Sequence, residues 1–241
     1  MDMASVPHGL ESPLAAAVAQ RDRDTIAMVR DALKRNSVKR AFQPVIQAAH
    51  SDRVAFYEGL IRILDPAGRV IPARDFIEAV ETQELGRIID CVALEHGIAA
   101  LRANPSLRLS INMSARSIGY PRWTRTLNSA LGQDDTVAER LILEITESSA
   151  IVVPDIVQVF MAELQDRGIC FALDDFGAGY TAFRYFKQFC FDILKIDGQF
   201  ICGIANDADN QVMVQAMMAV GQHFETGESR LKFDCDWKLD S

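Results

Sequence analysis

The sequence predicts an α/β fold, a barrel of the (β/α) kind whose first two strands pair antiparallel and whose last one to two βα units are missing or altered. Three observations predict it. From Arg40 onward, short apolar runs alternate with longer amphipathic stretches, which is the signature of a parallel sheet with helical crossovers. Several of those runs end in a carboxylate, a carboxamide or a lysine. The run Ile169-Cys170-Phe171-Ala172-Leu173 is followed by Asp174-Asp175-Phe176-Gly177-Ala178-Gly179-Tyr180, so two adjacent acids sit at a strand's C-terminal end and the glycines after them let the backbone turn. In an α/β barrel that rim carries the active site, and two hard anionic oxygens there suit divalent cations.

The elements follow in order. Leu14, Val18, Ile26, Val29 and Leu33 recur near helical spacing among Arg and Asp residues, so Ser12 to about Lys39 is a lead-in helix, and residues 1–39 form a separate lead-in segment. Strands are expected at Ala41–Ile46, Val54–Ile63, Leu107–Asn112, Leu141–Glu144, Ile169–Asp174 and Ile193–Lys195. Helices are expected at about Ala73–Val80, Ile88–Asn104, Pro121–Leu131, Pro154–Gln165, Thr181–Phe186 and Asn210–Phe224. Gln47–Arg53 is too short for a helical crossover, which is why the first two strands should be antiparallel. The barrel domain spans 40–225 and an atypical tail 226–241.

Composition narrows the function classes. The 241 residues are 49% hydrophobic and 24% charged, an ordinary globular composition with enough apolar content for one large core. A net charge of −8 opposes general nucleic-acid binding, which needs a basic face. No apolar run approaches the roughly 18 residues of a membrane span, and the N-terminus lacks a secretion signal, so the chain reads as cytoplasmic and not inserted in a membrane. Cys91, Cys170, Cys190, Cys202 and Cys235 are odd in number and show no metal-type pairing; they read as free thiols. His8, His50, His96 and His223 form no ligand spacing.

The strand ends hold the chemistry. Glu58 lies in Tyr57-Glu58-Gly59-Leu60-Ile61-Arg62, Asn112 closes Leu109-Ser110-Ile111-Asn112, Glu144 closes Leu141-Ile142-Leu143-Glu144, and Lys195 closes Ile193-Leu194-Lys195. If these strands line one barrel, Glu58, Asn112, Glu144, Asp174 and Asp175 converge into an oxygen-rich cage beside one cation. Such ligands suit Mg²⁺ or Mn²⁺ rather than zinc, and ions paired about 3.5–4 Å apart serve in-line attack at phosphorus, so phosphoester hydrolysis is the reaction class. Each residue alone has a plainer reading: Asp174-Asp175 as a helix cap, Glu58 or Glu144 as a helix N-terminal acid, Lys195 as a structural ion-pair partner, Glu147 as a helix-start residue. Phe183, Tyr185, Phe186, Phe189 and Phe191 read as core or dimer packing rather than a base-stacking platform.

Taken together and in order, seven segments resemble the EAL-type cyclic di-GMP phosphodiesterases of bacterial signalling. They are Phe42-Gln43-Pro44-Val45-Ile46, Glu58-Gly59-Leu60-Ile61-Arg62, Gly68-Arg69-Val70-Ile71-Pro72 running into Asp75-Phe76-Ile77, Ser110-Ile111-Asn112-Met113-Ser114, Leu143-Glu144-Ile145-Thr146-Glu147, Asp174 through Tyr180, and Leu194-Lys195-Ile196-Asp197. Glu-Gly-Leu replaces the family's Glu-Ala-Leu and keeps the acid. The resemblance covers about Ala41 to Phe224. It implies two divalent metal ions, with Glu58, Asn112, Glu144 and Asp174 on the first and Asp175 helping to hold the second. It implies that Lys195 positions the attacking water, with Glu58 beside it as a catalytic residue, that Arg62 contacts a substrate phosphate, and that Gln43 and Leu60 lie near the nucleotide. The implied reaction is hydrolysis of cyclic di-GMP to linear pGpG. The loop from Phe176 to about Phe183 resembles one that links metal binding to dimer contacts in the family, so a homodimer is expected.

After the helix ending near Phe224 the resemblance stops. The family's seventh strand with another glutamate, and its eighth strand, have no counterpart in Thr226–Ser241. A (β/α)₈ barrel takes about 250 residues, and without the lead-in segment only about 200 remain here. Stopping after six strands leaves unpaired edges, which the tail, through Leu231, Phe233 and Trp237, the N-terminal helix or a partner subunit must cover. Two function classes follow: a metal-dependent cyclic di-GMP phosphodiesterase, or an inactive relative acting as nucleotide receptor or protein-interaction scaffold.

Overall fold

A computed structural model describes residues 12–47, 50–178, 189–223 and 228–231. The chain forms two compact units, residues 1–39 with 61–86 and residues 40–60 with 87–241. In the first unit, helix α1 (Pro13–Lys34) starts with proline in its first turn and Ser12 as its cap, whose Oγ accepts from the Ala15 amide at 3.1 Å. Strand β1 (Val38–Gln47) begins here, and the far end of β2 (His50–Leu64) pairs antiparallel with β3 (Val70–Pro72). Asp65 builds the turn between them. Its Oδ1 accepts from the amides of Ala67 and Arg69 and its Oδ2 from Arg69 Nε at 2.6 Å, and these bonds hold its carboxyl below its ordinary value. The stretch expected as one helix from Ala73 is a 3₁₀ turn, Ala73–Asp75, followed by the single-turn helix α2, Ile77–Val80, which packs on α1.

The second unit carries the remaining elements: α3 (Glu84–Ala103, from Arg87 on), β4 (Leu109–Asn112), α4 (Pro121–Leu131), α5 (Thr136–Arg140), β5 (Leu141–Thr146), α6 (Glu147–Val152), α7 (Pro154–Gln165), β6 (Cys170–Phe176), β7 (Ile193–Ile196), α8 (Gly198–Ile201), α9 (Ala208–His223) and β8 (Glu228–Leu231). Its strands run β1-β8-β7-β6-β5-β4-β2, and a further β1–β2 pairing closes the ring. β2, β4, β5, β6, β7 and β8 run parallel to one another, while β1 runs antiparallel to both of its ring neighbours, β2 and β8. Among the described residues this is a seven-stranded closed sheet of the (β/α)-barrel type.

Strand β8 is where the structure departs from the sequence reading. The tail shows no apolar strand pattern, yet Glu228–Leu231 pairs with β7 on one side and with Ile46 and Gln47 of β1 on the other. Backbone demand explains it. Two open edges offer two rows of unpaired N–H and C=O groups, and that outweighs weak side-chain propensity in a four-residue strand. Phe233 and Trp237, and the helix expected at Thr181–Phe186, lie outside the described residues.

The alternation of each strand sets two layers inside the ring. Val45, Phe56, Ile142, Ala172 and Ile193, all buried, form one apolar cluster. Two residues further along their strands, on the same face, come Glu58, Glu144, Asp174 and Lys195. The other face of the sheet meets the helices: Phe171 of β6 stacks edge-on against Phe160 of α7, which in turn meets Trp123 of α4 at 5.6 Å. Each such side chain contributes about 1.5–3 kcal/mol by burial. Burial on both faces accounts for the unbroken Leu141-Ile142-Leu143-Glu144-Ile145 run.

Arg140 fastens the opposite end of the barrel. Its Nη1 donates to the carbonyls of Leu101, Asn104 and Leu107 at 2.7, 3.2 and 3.4 Å, and its Nη2 donates to Thr136 Oγ1 at 2.8 Å. Leu101 lies in the last turn of α3, Asn104 just past it and Leu107 in the link to β4, so one guanidinium caps the helix end and fastens the link that follows, next to β5. Arg140→Ala is expected to lower stability by about 2 kcal/mol in urea unfolding, the range for lost hydrogen bonds to a charged group; an unchanged midpoint refutes this role. Truncation after His223 removes β8 and reopens the β1 and β7 edges. Light scattering is expected to show concentration-dependent association of the shortened chain, and a monodisperse, equally stable product would show that β8 does not close the sheet.

Candidate active site

Four parallel strands deliver their inward side chains to one point. Glu58 (β2), Glu144 (β5), Asp174 (β6) and Lys195 (β7) are all buried, Glu144 and Lys195 to 0% exposure. Lys195 Nζ donates to Glu144 Oε2 at 2.6 Å and to Glu58 Oε2 at 3.1 Å, and lies 3.1 Å from Asp174 Oδ1. Asn112, at the end of β4 and half-buried, donates from Nδ2 to Glu58 Oε1 at 2.8 Å. The register places these side by side, with Asn112 opposite Glu144 and Thr146 opposite Asp174.

Three acids and one ammonium in a dry interior bias one another. Burial raises the Glu144 carboxyl, the neighbouring Glu58 and Asp174 charges raise it further, and Lys195 only partly offsets them, leaving it at about 8. For Lys195, burial works to lower the pKa, but Glu144, Glu58 and Asp174 together outweigh it and hold the ammonium well above its ordinary range. The lysine is therefore charged at neutral pH. Glu58, Glu144 and Asp174 each offer an oxygen within 4.8 Å of the others, and Glu144 Oε1 is buried without a hydrogen-bond partner among the described residues. Hard, anionic and partly unsatisfied oxygens at that spacing fit a divalent cation such as Mg²⁺ or Mn²⁺.

The strand breaks at the acidic pair. β6 and β7 slip register between Leu173 and Phe176, and Asp175 adopts φ +56°, the left-handed region that Asp tolerates better than most residues. Asp174 turns inward while Asp175 stays half-buried beside it. Gly177 follows at φ +96°, and a Cβ there would run into Met217 and Phe200, so the turn admits glycine alone. Gln43 and Leu60 are half-buried on β1 and β2. Arg62 stands further along β2, in the first unit, and donates from Nη1 to the Ile61 carbonyl at 3.1 Å.

The profile of the EAL domain family matches residues 26–226. The chain belongs to the EAL domain family. Cyclic di-GMP phosphodiesterase PdeF of Escherichia coli is 28% identical over 94% of this EAL domain and 32% of its own length, and cyclic di-GMP phosphodiesterase PdeB of Shewanella oneidensis is 29% identical over 80% and 23%. The EAL domain thus spans about a quarter to a third of the curated relatives it matches. The PaMucR phosphodiesterase in its c-di-GMP complex superposes with a TM-score of 0.69 at 27% identity, covering 83% of each chain. The FimX EAL domain of Pseudomonas aeruginosa, at 24% identity and TM-score 0.72, shares the fold. Gly59 stands where the family signature has alanine: a Cβ there would lie 3.2 Å from the Ser110 carbonyl oxygen, so alanine would push β4 away by a few tenths of an ångström.

Three buried polar groups had no role in the sequence reading of the site. Glu147 is the first residue of α6, buried, with neither carboxylate oxygen bonded among the described residues. Asp90 of α3 and Ser117 hold the turn after Asn112. Asp90 was visible as an acid among Ile88, Ile89, Cys91 and Val92, on a helix whose neighbours are apolar. No helix among the described residues is long and apolar enough to cross a membrane.

Folding raises the proton affinity of Glu144 above that of the unfolded chain, so the folded state binds more protons between about pH 4.5 and 8 and its stability falls as pH rises through that window. Lys195 shifts above its ordinary 10.5 and loses its stabilising contribution only at still higher pH, so it does not offset this slope. In EDTA, the thermal midpoint is expected to drop by several degrees from pH 5.5 to 8 and Glu144→Gln to flatten that drop. Parallel pH profiles for the two proteins would refute the assignment.

Proposed function

We propose that this EAL domain hydrolyses one phosphodiester bond of cyclic di-GMP to give linear pGpG, using two Mg²⁺ or Mn²⁺ ions. The observation that carries the reading is the convergence of buried Glu58, Glu144 and Asp174 around Lys195, with the half-buried Asn112 bonded to Glu58 beside them. The PaMucR complex with the same nucleotide supports it.

Glu58, Asn112, Glu144 and Asp174 would hold the first ion and Asp175 would help to hold the second. Bound there, the ions would lower the pKa of water and neutralise charge that develops on the phosphoryl oxygens. The protein's own groups do the rest. Lys195, kept charged by its three carboxylates, serves as donor and not as base, and its Nζ orients the water for attack in line with the departing 3′ oxygen. Glu58, held on one oxygen by Asn112 and on the other by Lys195, keeps a fixed rotamer beside that water. Arg62 supplies a planar donor fork to a phosphate, and Gln43 and Leu60 contact the nucleotide. The water oxygen bonds to phosphorus, the P–O3′ bond breaks, and the proton ends on the leaving oxygen.

A second reading, a nucleotide receptor without turnover, is favoured by one feature: among the described residues the sheet closes with seven strands, the four-residue β8 included, in place of the eight strands usual for a (β/α)₈ barrel. Homodimer formation belongs to either reading, and Val152, Ile156 and Val159 expose apolar area on α6 and α7 for it.

Incubation with cyclic di-GMP in Mg²⁺, Mn²⁺ or EDTA, with chromatographic detection of pGpG, separates the two. Expected is metal-dependent product that falls about 100-fold or more in Asp174→Ala, since even residues supporting a ligand cost 10–100-fold. Nucleotide binding by folded protein without product selects the receptor; neither binding nor product refutes both.

A further inference from the structure

We infer that Asp90 is a positioning residue, which sets the Asn112 carboxamide against Glu58 by fixing the turn that follows β4. The inference rests on the proposed site only for its consequence in metal binding. Its structural basis is independent.

Three consecutive amides after Asn112 bond to three different elements. Met113 N–H donates to the Glu144 carbonyl of β5 at 2.9 Å, Ser114 N–H to Asp90 Oδ2 of α3 at 3.0 Å, and Ala115 N–H to Ser149 Oγ of α6 at 2.8 Å. Ser117, fully buried, donates its hydroxyl to the same Asp90 Oδ2 at 2.5 Å. Two donors thus converge on one oxygen of a carboxylate that is only 8% exposed. Charge-assisted bonds of this kind are about twice as strong as neutral ones. An alanine at 90 would leave the Ser117 hydroxyl, which has no access to water, and the Ser114 amide without that acceptor.

The turn matters because Asn112 is its first anchor. The carboxamide reaches Glu58 Oε1 at 2.8 Å and leaves Oε2 for Lys195. Its position depends on where the backbone of 113–117 is pinned. Met113 is tied to β5 within the sheet and Ser149 lies on the short helix α6, so the 20-residue helix α3, through Asp90, is the long rigid element that holds the turn from outside. Ser114 closes the 3₁₀ turn Ala115–Ser117 by accepting from the Arg116 amide. The order of control therefore runs from Asp90 to Ser114 and Ser117, to Asn112, to the rotamer of Glu58.

Asp90→Asn, Asp90→Ala and Ser117→Ala in the full chain test this, read by hydrogen exchange of the Asn112 side-chain amide and by Mn²⁺ titration, at a temperature where circular dichroism shows each protein folded. Asp90→Ala is expected to exchange the Asn112 amide about 10-fold faster and, where the parent binds Mn²⁺, to weaken it about 10–100-fold, as loss of outer-shell support does. Asp90→Asn, whose oxygen still accepts both bonds, is expected to restore both readouts to near the parent. Ser117→Ala, which removes one of the two donors and serves if Asp90→Ala does not fold, is expected to speed Asn112 exchange about 3-fold. Unchanged Asn112 exchange in folded Asp90→Ala, or in Ser117→Ala if that is the only folded variant, overturns the inference. A parent that neither binds Mn²⁺ nor yields pGpG overturns the proposed function instead, while the exchange readout still decides the role of Asp90.

Discussion

One ammonium among three buried carboxylates is the constraint on which the second unit is organised. Lys195 Nζ lies within 3.1 Å of oxygens from Glu58, Glu144 and Asp174, each on a different strand. Burying such charges unpaired would cost several kcal/mol apiece, so the four strands that carry them must arrive at one point and in one register. A slip by one residue in any of them would turn its acid outward to the helices and its outward apolar neighbour inward. The polar layer therefore does more than hold chemistry: it specifies the barrel's register, and the apolar cluster of Val45, Phe56, Ile142, Ala172 and Ile193 on the same face supplies the burial that lets it stay dry.

The excess of negative charge in that layer links stability to function. Three acids against one lysine push the Glu144 carboxyl up to about 8, and a divalent cation bound as proposed would relieve the same repulsion by displacing the proton. The excess acid lowers stability as pH rises, and the proposed cation binding rests on that same excess. The break in β6 lies at the same layer: the register slips after Leu173, Asp175 takes the left-handed region, Phe176 is buried behind the pair and Gly177 confines the turn. Support for the layer comes from outside it, through Asn112 and the turn that Asp90, Ser117 and Ser149 hold.

Closure of the sheet is a separate requirement, met by an unlikely segment. Glu228–Leu231 has little strand character, and it becomes a strand because β7 and β1 each present an unpaired edge. The same logic explains β3, which is three residues long and exists by pairing with the far end of β2. Short helices α5 and α6 escaped the sequence reading because each is six residues or fewer, below the length at which helical periodicity can register. Glu147 was legible as a helix-start acid, which it is, and Asp90 as an acid among apolar neighbours, but neither as a buried one, since burial depends on which helix face meets the sheet.

What the sequence by itself determined is the alternation of strands and helices, the antiparallel start, and the acids, amide and lysine at successive strand ends: periods of two and 3.6 residues and an ordered set of motifs are local properties of the chain. Glu58, Asn112, Glu144, Asp174 and Lys195 could all be named from those patterns. The tertiary structure alone decided that Lys195 is the hub of the cluster, that burial and two neighbouring acids push the Glu144 carboxyl up, that Asp90 grips the turn beside Asn112, and that a tail without apolar pattern completes the ring. Each of these depends on distances between residues far apart in the chain, 137 positions for Lys195 and Glu58, and on the exclusion of water, neither of which a one-dimensional pattern carries.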